Sequence, residues 1–302
     1  MRNAINDICM LTLDVLYKTI DLPFKFINFS VRRMNNSSLF SDNKTQSDSQ
    51  AAFYENAVSK VITKKYQLKR FRRVYNYREI LEHLDYKDGK EYVSEIIALK
   101  QYTLNEINGF KLNDTFGNPR KFNYQNLGFI SPTTLRYIHV ATDIHSKFEM
   151  SKIRNIVEIG SGYGGQIAIL NTLDPHKKNN YFVFDLPKVQ ILVEKYLNKI
   201  SQNKVNYLNI QNFNERNFDL VISNYAFSEL PFKLQEAYLN EVLVNSKNGY
   251  LIMNTGMGNI TGRSRGKMSL EYIKSKIPNV EIYNEFPLTG PDNYLIIWRN
   301  KV

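Results

Sequence analysis

Two periodicities divide the chain. As far as about residue 148 apolar positions recur every three or four residues, the spacing of helix faces, and beyond it short apolar runs alternate with helical stretches. Ile5, Ile8, Cys9, Leu16 and Ile20 line one stripe of a helix predicted over 4–20, a face suited to the rest of the protein or to a twin subunit in a homodimer. Residues 35–50, rich in Ser, Asn and Asp, read as a linker. The helical pattern resumes from Glu55 to Leu84, turns at Asp88-Gly89, and continues over 91–107. Between Gly109 and Gly128 turn residues alternate with Phe116, Phe122 and Tyr124, the pattern of either a functional lid or an ordinary surface connection. Ser131-Pro132 then starts a helix: the serine hydroxyl accepts from a free first-turn N–H, and proline at the first position gives up no hydrogen bond. Leu135, Ile138, Ala141 and Phe148 form its apolar side, while Arg136, His139 and Asp143 share a neighbouring face.

Strands are predicted over 153–159, 181–184, 205–210, 219–223 and 250–254. Helices over 163–173 and 186–200, and one marked by Leu234, Tyr238, Val242 and Leu243, separate them. A last helix over 268–276 precedes two late strands, 280–283 and 294–298. Strand alternating with helix implies a parallel sheet with right-handed crossovers. The late pair, joined by Pro287-Leu288-Thr289-Gly290-Pro291, gives that sheet an antiparallel finish. The expected class is therefore α/β: a Rossmann-like sheet, mostly parallel with an antiparallel last strand, behind an N-terminal helical region. The chain divides into an amphipathic helix and polar linker (1–50), a helical cap or substrate region (51–130) and a cofactor-binding domain (131–302).

Composition narrows this picture. With 43% hydrophobic residues and 23% charged, the chain buries a core and is neither collagen-like nor disordered throughout. Cys9 is the one cysteine, which permits no internal disulfide and no cysteine zinc site and points to a reducing compartment. Asp14 and Lys18 interrupt the early apolar run, so no signal peptide is expected. No stretch reaches the ~18 apolar residues of a membrane span, and the expected location is cytoplasmic. The net charge of +11 has two readings, a polyanionic partner such as a nucleic acid or acidic membrane, or solvated surface lysine. Much of the excess sits in Lys60, Lys64, Lys65, Lys69, Arg70, Arg72 and Arg73, predicted to form one amphipathic basic helix. An RNA substrate would require that face to flank the cofactor pocket.

Gly160-Ser161-Gly162-Tyr163-Gly164-Gly165 follows a predicted strand and opens a helix, the context of a nucleotide-binding turn. Glycine lets the backbone turn sharply and approach a ligand closely. Asp185 ends the next strand, placed to accept both ribose hydroxyl protons, with Leu186 beside it. These features indicate an adenosine cofactor. Glu158, two residues before the first glycine, selects among such cofactors: a carboxylate there suits an ammonium and a sulfonium and repels a pyrophosphate. Only one nucleotide-binding unit is legible, and S-adenosylmethionine is the expected cofactor. An NAD-linked alternative would use a Tyr-x-x-x-Lys helix. Tyr272 and Lys276 have that spacing, but they lie after the fifth strand and lack the neighbouring serine.

Residues 128–302 resemble a family of bacterial sugar O-methyltransferases, on four stretches. They are Ile130-Ser131-Pro132-Thr133-Thr134-Leu135-Arg136-Tyr137, Val157-Glu158-Ile159-Gly160-Ser161-Gly162-Tyr163-Gly164-Gly165-Gln166, Phe184-Asp185-Leu186-Pro187 and Ser223-Asn224-Tyr225-Ala226-Phe227-Ser228-Glu229-Leu230. The glycine block is generic, whereas the third and fourth stretches are more specific. The resemblance implies a class I methyltransferase sheet and transfer of a methyl group to a hydroxyl of a sugar or glycan precursor.

Candidate residues follow. Glu158, Gly160, Ser161, Gly162, Tyr163, Gly165, Asp185 and Leu186 are the cofactor set, with Asn224 and Tyr225 lining the pocket and Asn212 and Phe213 either flanking the adenine or packing a loop. Arg136 and Tyr137 are the substrate candidates. A sugar hydroxyl is a weak nucleophile, so a general base is sought at the carboxyl ends of the strands. Glu229 is the first choice and His139 the second, against bland readings as a helix-terminal acid and a surface network residue. No carboxylate cluster has clear metal-ligand spacing, and dependence on a divalent metal stays open. The rivals are an RNA methyltransferase using the basic helix and a cofactor-binding scaffold without catalysis.

Overall fold

A computed structural model describes residues 4–19, 51–176, 179–200, 204–213, 217–254, 268–277, 279–290 and 293–299. The linker expected over 35–50 and Ile20 lie outside the described residues. Helix α1 covers 4–19. Asp7 tethers it, accepting from the Tyr86 hydroxyl at 2.6 Å and pairing with Lys90 at 2.7 Å. Met10, Leu13 and Tyr17 face the core, while Ile5, Ile8, Val15 and Leu16 remain exposed.

The single basic helix expected across 60–73 does not form. The segment breaks into α2 (Ala51–Thr63), α3 (Lys65–Leu68), a 3-10 turn (Phe71–Arg73) and α4 (Tyr75–Leu81). Arg72 supplies the reason: its side chain is 0% exposed and meets Glu82 at 2.5 Å, Asp114 at 2.8 Å and the Ser131 hydroxyl at 2.8 Å. A buried guanidinium is tolerated only when paired and hydrogen-bonded. The tight turn drops Phe71 and Arg72 inward together, and Arg73 lies over the ring of Tyr17. Lys60, Lys64, Lys65, Lys69 and Arg70 keep to the surface.

Asp88-Gly89 is likewise no helix stop. Asp85 caps α5 (Tyr86–Leu99), and Asp88 completes a capping box in its first turn. Gly89 is where Tyr124 packs, since a Cβ would lie 1.9 Å from that hydroxyl. The helix expected over 91–107 is thus two, the second being α6 (Leu104–Lys111), started by a Thr103–Glu106 capping box. The punctuated segment that follows is neither lid nor plain loop. It forms a hairpin, β1 (Phe122–Tyr124) with β2 (Gly128–Ile130), whose Phe122 and Tyr124 are buried. Ser131 caps α7 (Pro132–Lys147) as expected, accepting from the Thr134 N–H at 3.2 Å.

The alternating half gives β3 (Asn155–Ile159), α8 (Gly165–Leu173), β4 (Asn180–Phe184), α9 (Pro187–Ile200), β5 (Val205–Leu208) and β6 (Leu220–Asn224). After β6 come α10 (Ala226–Glu229), α11 (Phe232–Tyr238) running into a π turn (Leu239–Leu243), β7 (Asn248–Met253), α12 (Leu270–Lys276), β8 (Glu281–Asn284) and β9 (Tyr294–Arg299). The sheet order is β5-β4-β3-β6-β7-β9-β8. From β5 to β7 every pairing is parallel, and β9 runs antiparallel to both its neighbours. This order, with only the last strand reversed, is the Rossmann-like sheet of class I methyltransferases. Each face carries a core. Ile156 and Ile222 belong with α7, α8, α9 and the N-terminal helices, whereas Val157, Ile159 and Val221 belong with α11 and α12. The two-residue strand period therefore turns Glu158 with Ile156 toward α7 and α8.

Candidate active site

The turn after β3 is built from glycines that other residues could not replace. Gly160, Gly162 and Gly164 have φ of +77°, +60° and +89°. A Cβ on Gly160 would also lie 2.1 Å from the Cβ of Ala226, and one on Gly165 would lie 2.4 Å from the ring of Tyr137. Asp185 braces the turn from the end of β4. It accepts from the Gly162 N–H at 3.3 Å, the Ser161 hydroxyl at 3.4 Å and the Leu186 N–H at 2.8 Å. Burial pushes the Asp185 carboxyl up to about 7 despite these donors.

Glu158 stands beneath the turn. It is 4% exposed, and among the described residues its Oε2 has no hydrogen-bond partner and no cation pairs with it. Burial, followed by the nearby Asp185 carboxylate, pushes it up to about 8. The Asn224 side-chain carbonyl oxygen is also buried without a partner among the described residues. Orphaned buried acceptors are rare in folded chains and call for a donor. An ammonium-bearing nucleoside fits them: cation to Glu158, ribose hydroxyls to Asp185, backbone N–H groups of the glycine turn around the remainder. The helical region presses on this cradle, with Leu81 against Gly162 and Tyr54 close enough to Asp185 to feel its charge.

Beside the cradle lies a cavity of about 180 Å³ between α5, α7 and the ends of β7 and β8. Arg136 and His139 of α7 line it with Tyr92, Tyr225, Tyr250 and Glu285. Burial holds the His139 imidazole below its ordinary range, so it is neutral at pH 7. Tyr225 follows β6 with φ +68°, a left-handed conformation that is strained for a bulky residue. Its ring faces the Arg136 guanidinium at 5.7 Å, and its hydroxyl donates to Glu285.

The structure thus gathers Glu158, Gly160, Ser161, Gly162, Gly165, Asp185 and Leu186 at one cradle, and Arg136, His139 and Tyr225 at the adjoining cavity. Asn224, one residue before Tyr225, donates to Gln166 of α8 at 3.5 Å and does not line the cavity. Other candidates fall elsewhere. The Tyr163 side chain is wholly buried among Phe71, Arg72, Tyr137 and Tyr196, leaving only its backbone for a ligand. Tyr137 packs on the glycine turn and does not line the cavity. Asn212 is exposed, and Phe213 packs on Phe184 and Phe218 as a loop anchor. Glu229 ends α10, accepts from the Asn254 amide at 2.9 Å, and does not line the cavity. Tyr272 donates to Glu236 at 3.1 Å with Lys276 over its ring, against the opposite core. Tyr92 and Glu285 went unread, because they join the cavity from helix α5 and the end of β8 with no motif around them.

Among the described residues no three His, Cys, Asp or Glu side chains converge as a metal site, and no helix is long and apolar enough to cross a membrane. No protein-family model matches the chain, and no curated protein matches it by sequence. Solved structures similar to it include an O-methyltransferase family protein from Burkholderia thailandensis, at 10% identity over 95% of this chain and 98% of that one, with a TM-score of 0.44. An S-adenosylmethionine-dependent methyltransferase from Clostridium acetobutylicum covers 53% of this chain and 91% of its own, at 11% identity and a TM-score of 0.41. The mitomycin 7-O-methyltransferase MmcR covers 56% of this chain at 12% identity and a TM-score of 0.40. The chain spans 55% of the length of MmcR and 61% of that of PigF. The strand order β5-β4-β3-β6-β7-β9-β8 by itself defines the fold.

Proposed function

We propose that the chain is an S-adenosylmethionine-dependent O-methyltransferase acting on a hydroxyl of a sugar or glycan precursor. The observation that carries the cofactor is Glu158, a buried carboxylate with an unpartnered oxygen under a glycine turn, where a pyrophosphate would be repelled. When bound, S-adenosylmethionine supplies a methyl group activated by its sulfonium. Asp185 orients the ribose, and the glycine turn admits the ligand to backbone contact. The adjoining cavity, lined by Arg136, His139 and Tyr225, holds the acceptor. His139, neutral and within that cavity, takes the hydroxyl proton, a contribution of ~10²–10⁴ in rate. Its place there favours it over Glu229 and favours an enzyme over a scaffold. The sugar comes from the family resemblance of the 184–187 and 223–230 stretches. The RNA reading loses one of its cations, since Arg72 is buried against Glu82 and withdrawn from the surface charge of 60–73.

The test is transfer of labelled methyl to a panel of sugars and sugar nucleotides, by wild type and His139→Ala. Label on a sugar hydroxyl, with kcat reduced ~10²-fold or more in the variant and S-adenosylhomocysteine affinity unchanged, supports the assignment. Equal rates would remove His139 from it.

A further inference from the structure

We propose that the acceptor carries an oxyanion, a carboxylate or a phosphate, that the Arg136 guanidinium binds in the cavity; this rests on the methyltransferase reading. Arg136 is 6% exposed yet lines the cavity wall. Among the described residues no carboxylate pairs with it: the rings of Tyr137 and Tyr225 lie 5.8 and 5.7 Å away, and Glu82, whose charge reaches it, is bonded to Arg72. Arg72 shows what a structural arginine looks like in this fold. It is bonded to Glu82, Asp114, Ser131 and the Asn113 carbonyl.

The carboxylates around the cavity do not complete Arg136. Glu285 is engaged by Tyr225, by the Thr289 N–H and hydroxyl, and by the Asn293 amide. Asp143 is engaged by the Tyr250 hydroxyl at 2.9 Å and by Lys147 at 3.5 Å. Glu95 lines the wall from α5 without reaching ion-pair distance of Arg136. A planar fork of donors in a buried, unpaired state matches two oxygens of a carboxylate or phosphate, and a neutral sugar offers no equivalent. The position is also apt. Arg136 precedes Tyr137, which packs on the glycine turn, and His139 lies three residues on, lining the same cavity. An anion held by Arg136 places the rest of the acceptor between the cofactor cradle and the base.

The experiment is calorimetric titration of the S-adenosylhomocysteine-loaded full chain with glucuronate, glucose 1-phosphate and methyl glucoside, on wild type, Arg136→Gln and Arg136→Lys. At least one acidic probe should bind about tenfold tighter than the neutral glucoside, a gap of about 1.4 kcal/mol. That advantage should vanish in R136Q and shrink in R136K, which keeps the charge without the fork. Which acid binds distinguishes a carboxylate from a phosphate. Equal binding of acid and glucoside, no binding of either acid, or an unchanged acid preference in R136Q overturns the proposal. A melting temperature matching wild type shows that R136Q is folded, and if it is not, R136K decides alone. S-adenosylhomocysteine binding is read first and separately. Its failure in wild type would sink the methyltransferase reading, while acid discrimination by the unloaded chain would still decide the anion site.

Discussion

Replacing Glu158 by Gln should stabilise the protein in mildly alkaline solution while destroying its cofactor site. The carboxyl titrates at about 8 in the folded chain against 4.5 for the free group. An acid whose folded pKa is raised keeps its proton in the native state after the unfolded chain has lost its own. Stability is therefore lost as pH climbs from 4.5, and the loss is complete above about 8. At about 1.4 kcal/mol per pH unit that interval amounts to ~5 kcal/mol. A glutamine amide in the same place leaves its own buried groups short of partners, which offsets ~1–3 kcal/mol of the gain. The net is roughly 2–4 kcal/mol, or ~3–6 °C in melting temperature for a chain of this size. Thermal unfolding of wild type and E158Q from pH 5 to pH 8.5 reads it directly. The variant should be no more stable at pH 5, overtake wild type near neutrality, and lead at pH 8.5. S-adenosylhomocysteine should raise the wild-type melting temperature and leave that of E158Q where it is. Parallel curves across the range would refute the buried, uncompensated carboxyl from which the cofactor site is argued.

Because Glu158 and Asp185 sit at about 8 and about 7 in the unliganded protein, cofactor affinity should rise with pH through 6–8 and release protons on binding. Titrations in buffers of different ionisation enthalpy measure both, and a flat profile would contradict it. Gly160→Ala should lose cofactor binding even if the chain folds, since its Cβ would strike Ala226 and its φ of +77° is unfavourable for alanine; equilibrium dialysis decides. Arg72→Met should destabilise by about 3–5 kcal/mol in denaturant unfolding, because Glu82 and Asp114 stay buried without their cation. A loss under 1 kcal/mol would mean the pair relaxes into water.

The sheet was legible because strand and helix periods differ, and the glycine turn because positive φ and close approach constrain residue type at fixed spacing. Asp185 and Glu158 could be read for the same reason, each lying at a strand end beside that turn. What sequence spacing conceals is the direction of a side chain whose partners are remote. Arg72 looked like one cation among seven, yet Asp114 and Ser131, which draw it inward, lie 42 and 59 residues away. Tyr163 sits inside the glycine motif, but Phe71 and Tyr196 offer its ring a core site. The cavity shows the same limit. Arg136, His139 and Asp143 were placed on one face by helical spacing, while Tyr92, Tyr225 and Glu285 opposite them come together only through the tertiary fold. Glu229 was drawn toward the site by its position after β6, and the short α10 carries it to Asn254 instead.

The most direct measurement is calorimetric titration of the purified chain with S-adenosylhomocysteine and, separately, with NAD, repeated on Asp185→Ala. S-adenosylhomocysteine should bind wild type and lose most of its affinity in D185A, and NAD should bind neither. Binding of NAD in place of S-adenosylhomocysteine would contradict the cofactor assignment, and with it the role assigned to Glu158.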